Sequence, residues 1–342
     1  MATVHVTTVA EFKTAIQTAN NYVILDNDLD FTNEKNLSIA AEVTVDGSGQ
    51  TGTEKHKLSH FFITEFNSVF QANTYGIYVY FKNCVFDDIL IILNNWNVNT
   101  RYFFIGNSGY NSSKVKFTNV DLMIKYYLAC PSYDGNIPYR AIFLGNTWFT
   151  KCNVVIDLYY ILPKDTFYFI DGSIELMEDS IFKFTLYDPN GWGNINGSNL
   201  TGGITKMTNS AIIAEYKSDY SMIPNQTIKI SNSIQETDNC YFIFHNTGRF
   251  KLIPAINNMR VTTYVFVNSG PADPSAPRSP AEATKINWTI YQPYYSGGSY
   301  QLKQLTDEDC KNRATFEDGY PAEGSSPATN PFPFKLKQDY EP

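Results

Sequence analysis

Residues 81–86 read FKNCVF, and related hexapeptides return five times further along the chain. Each has a large apolar residue, one spacer, a polar residue that is usually Asn or Asp, and then in most copies a small residue. The later copies are FTNVDL (117–122), FTKCNV (149–154), MEDSIF (177–182), MTNSAI (207–212) and ISNSIQ (230–235). The aligned polar positions, which we call the anchors, are Asn83, Asn119, Lys151, Asp179, Asn209 and Asn232, with a weaker seventh at Asn258 in INNMRV.

The spacing of the anchors favours one repeat architecture over another. Their gaps are 36, 32, 28, 30, 23 and 26 residues, and a period of roughly 20 to 50 residues is typical of solenoids and propellers. Propeller blades need four antiparallel strands with regular hairpin turns, which gaps of such different length fit poorly. A parallel β-helix tolerates them because insertions leave the stack at its corners. The repeat therefore predicts an all-β solenoid.

The residue types in the repeat suit the bends of such a coil. Asn tolerates left-handed backbone angles, and its amide can bond to the equivalent side chain one coil away, so we interpret the anchors as ladder residues and not as ligands. The alternation of Val79 with Phe81 and of Val115 with Phe117 predicts that these side chains point inward, where aromatic rings stack in columns. Small or thiol residues that fit a tight inward corner follow the anchors at Cys84, Cys152, Ser180, Ser210 and Ser233.

Composition excludes several classes of function. The net charge of -8 and the absence of a basic run argue against a nucleic-acid surface, because phosphate binding needs clustered Lys and Arg. Aromatic residues reach 15%, with 24 Tyr and 24 Phe, which is a profile rich in strand formers. The five cysteines include no Cys-x-x-Cys pair, so we expect free, buried thiols made in a reducing cytosol and no zinc or redox motif.

Targeting signals are also missing from the sequence. The first residues, MATVHVTTVAEFK, lack a basic segment followed by an apolar stretch, so no secretory signal is expected. No window approaches 18 uninterrupted apolar residues, and we therefore expect no transmembrane helix and no membrane partner.

The opening segment predicts a helix followed by strands. Thr8 and Glu11 have the spacing of a capping box, and Val9, Phe12, Ile16 and Ala19 follow at helical spacing, so a short amphipathic helix is expected over about residues 9 to 20. The segments YVILDNDLDF (22–31) and LSIAAEVTVDGSGQ (37–50) then predict strands, the last ending in a tight turn at Asp46-Gly47.

This combination of a first helix, early strands and a DG turn over residues 6 to 50 resembles the entrance of the pectate-lyase-like right-handed parallel β-helix family. The resemblance implies a cap and first coil at residues 1–50 and a right-handed parallel β-helix at residues 51–268. In that family the first helix covers the open end of the coil.

The composition changes near residue 268. Of 16 prolines, ten lie at or beyond position 271, and PADPSAPRSP (271–280) spaces four of them three apart, as in a polyproline II spacer. The segment KINWTIYQPYYSGGSYQLKQL (285–305) predicts a hairpin that turns at Gly297-Gly298. An isolated hairpin is not stable, so this one should dock on the coil or on a partner. From Glu317 onward the composition predicts disorder, and residues 269–342 are expected to form a docking segment.

The carboxylate pairs in the sequence are candidates for polysaccharide cleavage. Glycoside hydrolases need two carboxyl groups facing one sugar bond. Asp87 and Asp88 are adjacent, so on a regular strand they would point to opposite faces. Glu175, Glu178 and Asp179 lie around an anchor, where Asp179 already serves as a bend residue. Of the four motifs of the family's polygalacturonase branch, only the nonspecific Asp-Asp dipeptide occurs here.

The other polar candidates also have structural interpretations. Arg140 in NIPYR has no acidic run to accompany it as a lyase base, and a surface arginine is the favoured interpretation. His245, with Arg249 four residues on, is interpreted as a structural residue at a strand edge. Asp46-Gly47-Ser48-Gly49 lacks the Lys and the helix of a phosphate loop. The sequence thus predicts no catalytic, cofactor-binding or metal-binding residue and no cofactor, although a site shared between subunits stays open.

The function expected from the resemblance is structural. A β-helix without a signal peptide and with a Pro-rich docking segment resembles bacteriophage virion proteins made in the host cytoplasm, such as spikes, fibres and head-decoration proteins. The expected partners are other virion proteins through residues 269–342, two further copies in a homotrimer, and host-surface polysaccharide, with no nucleic acid. The alternatives are a polysaccharide lyase or glycoside hydrolase on the same scaffold and, third, a secreted adhesin.

Overall fold

The structure is a computed structural model, and it describes the parts of the chain that form regular elements and their short connections. The described residues are 2–32, 34, 37–63, 68–72, 76–93, 102–105, 114–128, 140–160, 167–171, 173–188, 196–199, 203–218, 227–229, 234–238, 240–245, 264–268, 288–297, 299–304, 314–316 and 334–336. Strands are numbered below in chain order.

Sheet A has nine strands, and all of its pairs are parallel. In order across the sheet they are β1 (Ala2–Val6), β2 (Asn21–Leu25), β5 (Val43–Asp46), β9 (Tyr78–Lys82), β12 (Lys114–Thr118), β15 (Asn146–Thr150), β18 (Ser173–Glu178), β21 (Gly203–Thr208) and β24 (Ile234–Asp238).

Sheet B is parallel over most of its width and ends in an antiparallel hairpin. Its strands are β3 (Leu29–Asp30), β6 (Lys57–Ser59), β7 (Phe62–Ile63), β10 (Val85–Leu93), β13 (Asp121–Leu128), β16 (Asn153–Tyr160), β19 (Ile181–Asp188), β22 (Ala211–Ser218), β25 (Tyr241–His245), β26 (Tyr264–Asn268), β27 (Trp288–Ser296) and β28 (Ser299–Gln304).

Sheet C is a third parallel sheet, and a separate antiparallel pair forms sheet D. Sheet C contains β4 (Leu37–Ile39), β8 (Ser68–Ala72), β11 (Tyr102–Ile105), β14 (Arg140–Leu144), β17 (Phe167–Asp171), β20 (Asn196–Asn199) and β23 (Thr227–Lys229). Sheet D pairs β29 (Ala314–Phe316) with β30 (Phe334–Leu336).

The chain visits the three large sheets in a fixed order. From β2 to β25 each strand of sheet A is followed by sheet B and then by sheet C before the chain returns to sheet A. We call one such passage a layer. The expectation of an all-β chain with parallel pairing is confirmed, and register pairs Phe81 with Phe117 and Phe117 with Phe149, so equivalent residues of successive layers lie side by side.

Side chains from the three sheets share one core. The predicted inward residues Val79, Phe81, Val115 and Phe117 are at most 1% exposed. The rings of Phe81 and Phe117 stack with centroids 5.5 Å apart, and Phe149 continues the column at 5.1 Å from Phe117. The predicted aromatic column is therefore present, and each such pair adds about 0.5–1.5 kcal/mol beyond its buried area.

The anchors occupy left-handed bends, as the repeat predicted. The φ angles are 49° at Asn83, 54° at Asn119, 55° at Lys151, 48° at Asp179 and 46° at Asn209. Each of these residues donates its backbone N–H to the carbonyl that precedes the equivalent bend one layer on. The backbone groups at each bend are thereby satisfied even though the strand has ended.

A side-chain ladder joins some of these bends. Asn83 Nδ2 lies 2.9 Å from Asp46 Oδ1, and Asn119 Nδ2 lies 2.8 Å from Asn83 Oδ1. Further along, Asn209 Nδ2 donates to Asp179 Oδ1 at 3.3 Å. Lys151 lies between the two runs of the ladder and has no amide, so its side chain cannot continue the Asn83–Asn119 pattern.

The sixth anchor was placed at the wrong position. Thr208 pairs with Asp238, so the sequence counterpart of Asn209 is Asn239 and not Asn232. The motif around Asn239, TDNCYF (237–242), begins with Thr, whereas FKNCVF begins with Phe and ISNSIQ with Ile. The missing large apolar residue explains the error. Asn232, Ser233 and Asn258 lie outside the described residues.

Small side chains line the inside of these bends as expected. Cys84, Cys152, Ser180, Ser210 and Cys240 are at most 3% exposed. Each donates its thiol or hydroxyl to the backbone carbonyl two residues earlier. A thiol and a hydroxyl are interchangeable here because both are small donors of one hydrogen bond.

The first helix is shorter than predicted, and a strand precedes it. Helix α1 (Val9–Gln17) begins with the predicted capping box between Thr8 and Glu11, but it ends when Thr18 adopts an extended conformation. Ala19 is therefore exposed, and Ala15 is buried in its place. Strand β1 (ATVHV, residues 2–6) was not predicted from the sequence.

The helix lies against the first strands of the sheets. It contacts β1, β2 and β4. The Phe12 ring meets Phe31 edge-on at 5.5 Å, and Phe31 stacks on Phe61 at 4.4 Å. Phe12 and Ile16 are at most 1% exposed, so α1 shields apolar side chains at the start of the core.

The C-terminal hairpin was predicted correctly, whereas three residues of the tail form a strand and the rest of the tail from Glu317 lies outside the described residues. Strands β27 and β28 pair on either side of the predicted turn, where Gly297 has a φ of 60°, and β27 also pairs antiparallel with β26. Strand β30 lies beyond Glu317, in the segment for which composition predicted disorder. Its short apolar run forms a strand by pairing with β29. The Pro-rich stretch 271–280 lies outside the described residues.

Candidate functional site

An aromatic and cationic surface lies on the outer side of sheet A. Because Val79, Phe81, Val115 and Phe117 point inward, the residues that alternate with them point outward. The register places β12 between β9 and β15. We name the resulting surface the aromatic–lysine face; it consists of Tyr78, Tyr80, Lys114, Lys116 and Trp148.

Lys116 is surrounded by three aromatic rings. Its Nζ lies 5.1 Å from the centroid of Trp148, 5.6 Å from that of Tyr78 and 5.7 Å from that of Tyr80. The two tyrosine rings are nearly parallel, at 13°, with centroids 6.1 Å apart. Each exposed cation–π contact contributes about 0.5–1 kcal/mol, so the rings hold the ammonium group in place without removing its charge.

Lys114 is held beside the same rings by a hydrogen bond. Its Nζ donates to the Tyr78 hydroxyl at 2.9 Å and lies 4.9 Å from the Tyr78 centroid. That hydrogen bond raises the pKa of Lys114, so this side chain is protonated at neutral pH. In the described part of the chain, no carboxylate oxygen lies within ion-pairing distance of Lys114 or Lys116.

A polar network continues the face along sheet A. The hydroxyl of Ser173 lies 3.0 Å from Asn146 Oδ1 and 2.6 Å from Glu175 Oε1, and Thr205 donates to Glu175 Oε2 at 3.2 Å. The register shifts between β15 and β18, so two residues, Glu175 and Leu176, occupy the space opposite Trp148. Such a bulge re-aims side chains, and it keeps Glu175 on the outer surface.

The other edge of the face is built around Asp46. Tyr22 donates its hydroxyl to Asp46 Oδ2, and the Ser48 N–H lies 3.0 Å from Asp46 Oδ1. Burial opposes ionisation of Asp46, but the hydrogen bonds from Tyr22, Asn83 and Ser48 outweigh it and lower the pKa. The Lys82 ammonium lies 5.5 Å from the Tyr22 ring centroid, which adds a third cation near the face.

The Asp46–Gly49 run is a turn, as the sequence analysis favoured. Asp46 ends β5, its carboxylate accepts the Ser48 N–H, and Gly49 has a φ of 65°. A Cβ on Gly47 would lie 2.2 Å from the Asn83 carbonyl oxygen, so only glycine fits where the next layer passes.

Asp87 and Asp88 do not point to opposite faces, which corrects the expectation from the sequence. They lie in a bulge between the buried residues Phe86 and Ile89, and Asp88 has a φ of 49°. Both side chains are consequently on the outside, 35% and 55% exposed. Asp87 pairs with Lys57 at 3.4 Å, and Asp88 lies 3.9 Å from Lys125.

The remaining candidates are separated in the fold. Asp179 occupies its predicted bend, and Glu178 ends β18. Arg140 begins β14 in sheet C with Phe167 as its partner, whereas His245 ends β25 in sheet B opposite Glu215. Arg249, Cys130 and Cys310 lie outside the described residues.

The three described cysteines are free and buried. Burial raises the pKa of Cys84 and of Cys152 to about 12 and that of Cys240 to about 11. These thiols are protonated at neutral pH and are poor nucleophiles and poor metal ligands.

Three histidine–carboxylate pairs lie near the first strands, one beside sheet A and two beside sheet B. His5 Nδ1 lies 3.0 Å from Asp26, His56 Nδ1 lies 3.1 Å from Asp28, and His60 Nδ1 lies 3.1 Å from Asp30. Among the described residues these side chains form no group of three with the geometry of a metal site. The described residues also include no helix long and apolar enough to cross a membrane.

The aromatic–lysine face was not identified from the sequence, although a signal for it was present. The segments YVYFK (78–82), KVKFT (114–118) and NTWFT (146–150) align by their inward residues, and their outward positions then read Tyr-Tyr, Lys-Lys and Asn-Trp. The anchors and the inward residues carry the repeat, whereas these outward positions become neighbours only through the register of the three strands.

Comparisons with family models, with curated proteins and with solved structures found no match to this chain.

Proposed function

We propose that this chain is a non-enzymatic structural protein of a bacteriophage virion, a spike, fibre or head-decoration component, built as a right-handed parallel β-helix that binds host-surface glycans. The β-helix is supported by the fixed order in which the chain visits sheets A, B and C. Parallel strands joined by crossovers are almost always right-handed, which supports the proposed hand. The virion role rests on the resemblance of a β-helix with a Pro-rich docking segment, here expected at residues 269–342, to bacteriophage virion proteins.

The observation that carries the glycan-binding part of the proposal is the aromatic–lysine face. Sugars bind proteins through stacking on aromatic rings and through hydrogen bonds to hydroxyl, amide and carboxylate groups. Tyr80 and Trp148 supply the rings, and Asn146, Ser173 and Glu175 supply the polar groups beside them.

The arrangement of carboxylates favours binding over cleavage. Asp87 and Asp88 are paired with lysines in a bulge of sheet B, and Glu175 shares its oxygens with Ser173 and Thr205 on sheet A. We expect incubation of the purified chain with host capsule or other polysaccharides to leave polymer length unchanged by size-exclusion chromatography. Progressive shortening would instead establish the lyase or hydrolase alternative.

The virion role has a direct test in the particles themselves. Antibodies raised against the purified chain should label intact particles in immunogold electron microscopy, at the tail or on the head. A chain that is abundant in infected cells but missing from purified, disrupted particles would contradict the proposal. A density map with sheets packed face to face, and not wound in layers, would contradict the β-helix.

A further inference from the structure

We propose that the aromatic–lysine face selects acidic polysaccharides, binding carboxylate, sulfate or phosphate groups on the polymer through Lys114 and Lys116. This inference rests on the proposed glycan binding and adds the charge class of the ligand. It follows from the placement of positive charge on a chain whose net charge is -8.

The two ammonium groups are fixed before any ligand arrives. Lys116 Nζ lies within 6 Å of three ring centroids, and Lys114 Nζ is tied to the Tyr78 hydroxyl at 2.9 Å. A free lysine side chain loses conformational entropy when it is immobilised by a ligand, and this loss weakens binding. Here the rings and the hydroxyl have already restricted both side chains, so less of that cost remains at binding.

Both lysines keep hydrogen-bond donors for an anion. An ammonium group has three N–H donors. Lys114 uses one on Tyr78, and the contacts of Lys116 with Tyr78, Tyr80 and Trp148 are made to ring faces. Lys114 and Lys116 lie two residues apart on one strand, so their Cα atoms are separated by about 6.6 Å along the strand.

Carboxylates near the face limit which ligands fit. Glu175, on β18, raises the pKa of Lys114 electrostatically, in addition to the larger effect of the hydrogen bond to Tyr78. On the opposite side, Glu42 adds to the effect of burial in raising the pKa of Tyr80. A ligand with anions at regular intervals and hydroxyls between them satisfies both the lysines and the Asn146–Ser173–Glu175 network. A polymer with uniformly dense charge, such as single-stranded nucleic acid, would bring phosphates close to Glu175 and Glu42.

The test compares three polymers that share the dextran backbone and adds a nucleic acid as a fourth. The full chain is titrated with dextran, carboxymethyl-dextran, dextran sulfate and oligo-dT, and binding is measured by biolayer interferometry at low and high salt. The variants are Lys114→Gln/Lys116→Gln, Trp148→Ala, and the matched control Lys206→Gln. Lys206 is also exposed on the outer side of sheet A, but it lies near Glu236 at 3.8 Å and away from the rings.

We expect carboxymethyl-dextran or dextran sulfate to bind at least tenfold more tightly than dextran, with affinity falling as salt rises. The Lys114/Lys116 variant should lose at least tenfold in affinity, and Lys206→Gln should retain it. Tighter binding of carboxymethyl-dextran would identify carboxylate as the anion recognised. Tighter binding of dextran sulfate would identify the more strongly acidic groups.

Equal binding of dextran and carboxymethyl-dextran that is lost in Trp148→Ala would overturn the charge selectivity and leave glycan binding intact. Binding to none of the dextrans would overturn both. Tighter binding of oligo-dT than of either charged dextran would also overturn the inference, since it would identify a nucleic-acid surface.

Discussion

At the scale of single residues, the bends impose the strictest requirements. A left-handed backbone favours Asn, Asp and Gly, and the close passage of the next layer at Gly47 excludes any side chain. The side chains at the same bends form a hydrogen-bonded ladder. A substitution preserves this ladder only if the new side chain can donate a hydrogen bond to, or accept one from, the side chain of the next bend. Substitutions at four positions in and beside these bends separate these requirements.

Gly47→Ala should be strongly destabilising. The new Cβ would lie 2.2 Å from the Asn83 carbonyl oxygen and 3.2 Å from Cys84 Cα, both backbone atoms that cannot move independently. We expect the free energy of unfolding to fall by about 2–3 kcal/mol, measured by urea denaturation. Gly52→Ala is the control, because Gly52 has a φ of 75° but no atom near the added Cβ. A loss in Gly47→Ala no larger than that in Gly52→Ala would contradict the role assigned to the contact with Asn83.

Lys151→Asn should stabilise the chain. Lys151 has a φ of 55° between the two runs of the amide ladder, and an Asn there would place its amide toward Asn119. The expected gain is about 0.5–1.5 kcal/mol in the free energy of unfolding, from one hydrogen bond and a residue suited to the bend. Lys151→Ala supplies neither and should not stabilise; a gain as large in Lys151→Ala would refute the ladder explanation.

Asp46 should contribute stability that disappears in acid. Its folded pKa is lowered below the ordinary value of 3.8, so its contribution is fully present above that pH and is lost as the pH falls through the folded pKa. Wild type should therefore exceed Asp46→Asn in urea midpoint at pH 7, and the two midpoints should converge as the pH falls through the folded pKa of Asp46. A difference that stays constant with pH would contradict this assignment.

Tyr22 should act in the opposite direction at high pH. Burial and the hydrogen bond to Asp46 raise the pKa of Tyr22 to about 12 from 10.0. A group with a raised folded pKa loses its stabilising contribution as the pH rises from the unfolded value toward the folded one. The stability of wild type should thus fall between pH 10 and 12 more steeply than that of Tyr22→Phe, measured by circular dichroism with urea.

At the scale of elements, α1 depends on its cap. Thr8 and Glu11 satisfy backbone N–H groups reciprocally, and the helix has only nine residues, so it has little intrinsic stability. Its position depends on Phe12 and Ile16 packing on the first strands.

Thr8→Ala should destabilise the folded chain by about 1 kcal/mol through loss of the cap. Thr14→Ala is the matched control, since Thr14 is exposed on the same helix and donates only to the Ala10 carbonyl. Hydrogen exchange of the α1 amides should rise in the first variant and not in the second. Unchanged exchange in Thr8→Ala would mean that packing alone holds the helix.

How much the sequence predicted also differs between elements. The bends, the inward column and the C-terminal hairpin were predicted because each has a local signal, such as an Asn before a small residue or a Gly-Gly turn. Strand β1, the sixth anchor and the bulge at Asp87-Asp88 were missed because each is fixed by pairing with a distant strand. The aromatic–lysine face depends on the register of three strands, which no single segment reveals.

At the scale of the whole molecule, stability accumulates from pairing between adjacent layers. The paired strands belong to adjacent layers, as in other proteins that repeat one structural unit, and an ion pair of 2.7 Å between Lys55 and Asp121 also joins two layers that are not adjacent. The two ends of such an arrangement are its vulnerable places because their strands have unpaired edges. Deleting residues 1–20 would remove β1 and α1 together and expose the edge of β2 along with Phe31.

We expect this deletion to convert part of the protein into larger species, measured by light scattering after size-exclusion chromatography. A Thr14→Ala variant carried through the same purification controls for handling. A truncated chain with the same mass distribution as the intact one would show that the first strand and helix are dispensable as an end cover.

The antiparallel pairing of β27 with β26 has a consequence for how such a molecule changes in size. Duplicating the stretch from Asp179 to Thr208 would add one strand to each of sheets A, B and C and widen each sheet by about 4.8 Å. The hairpin of β27 and β28 would still end sheet B, so the number of layers can change while the first helix and the last hairpin keep their sequences.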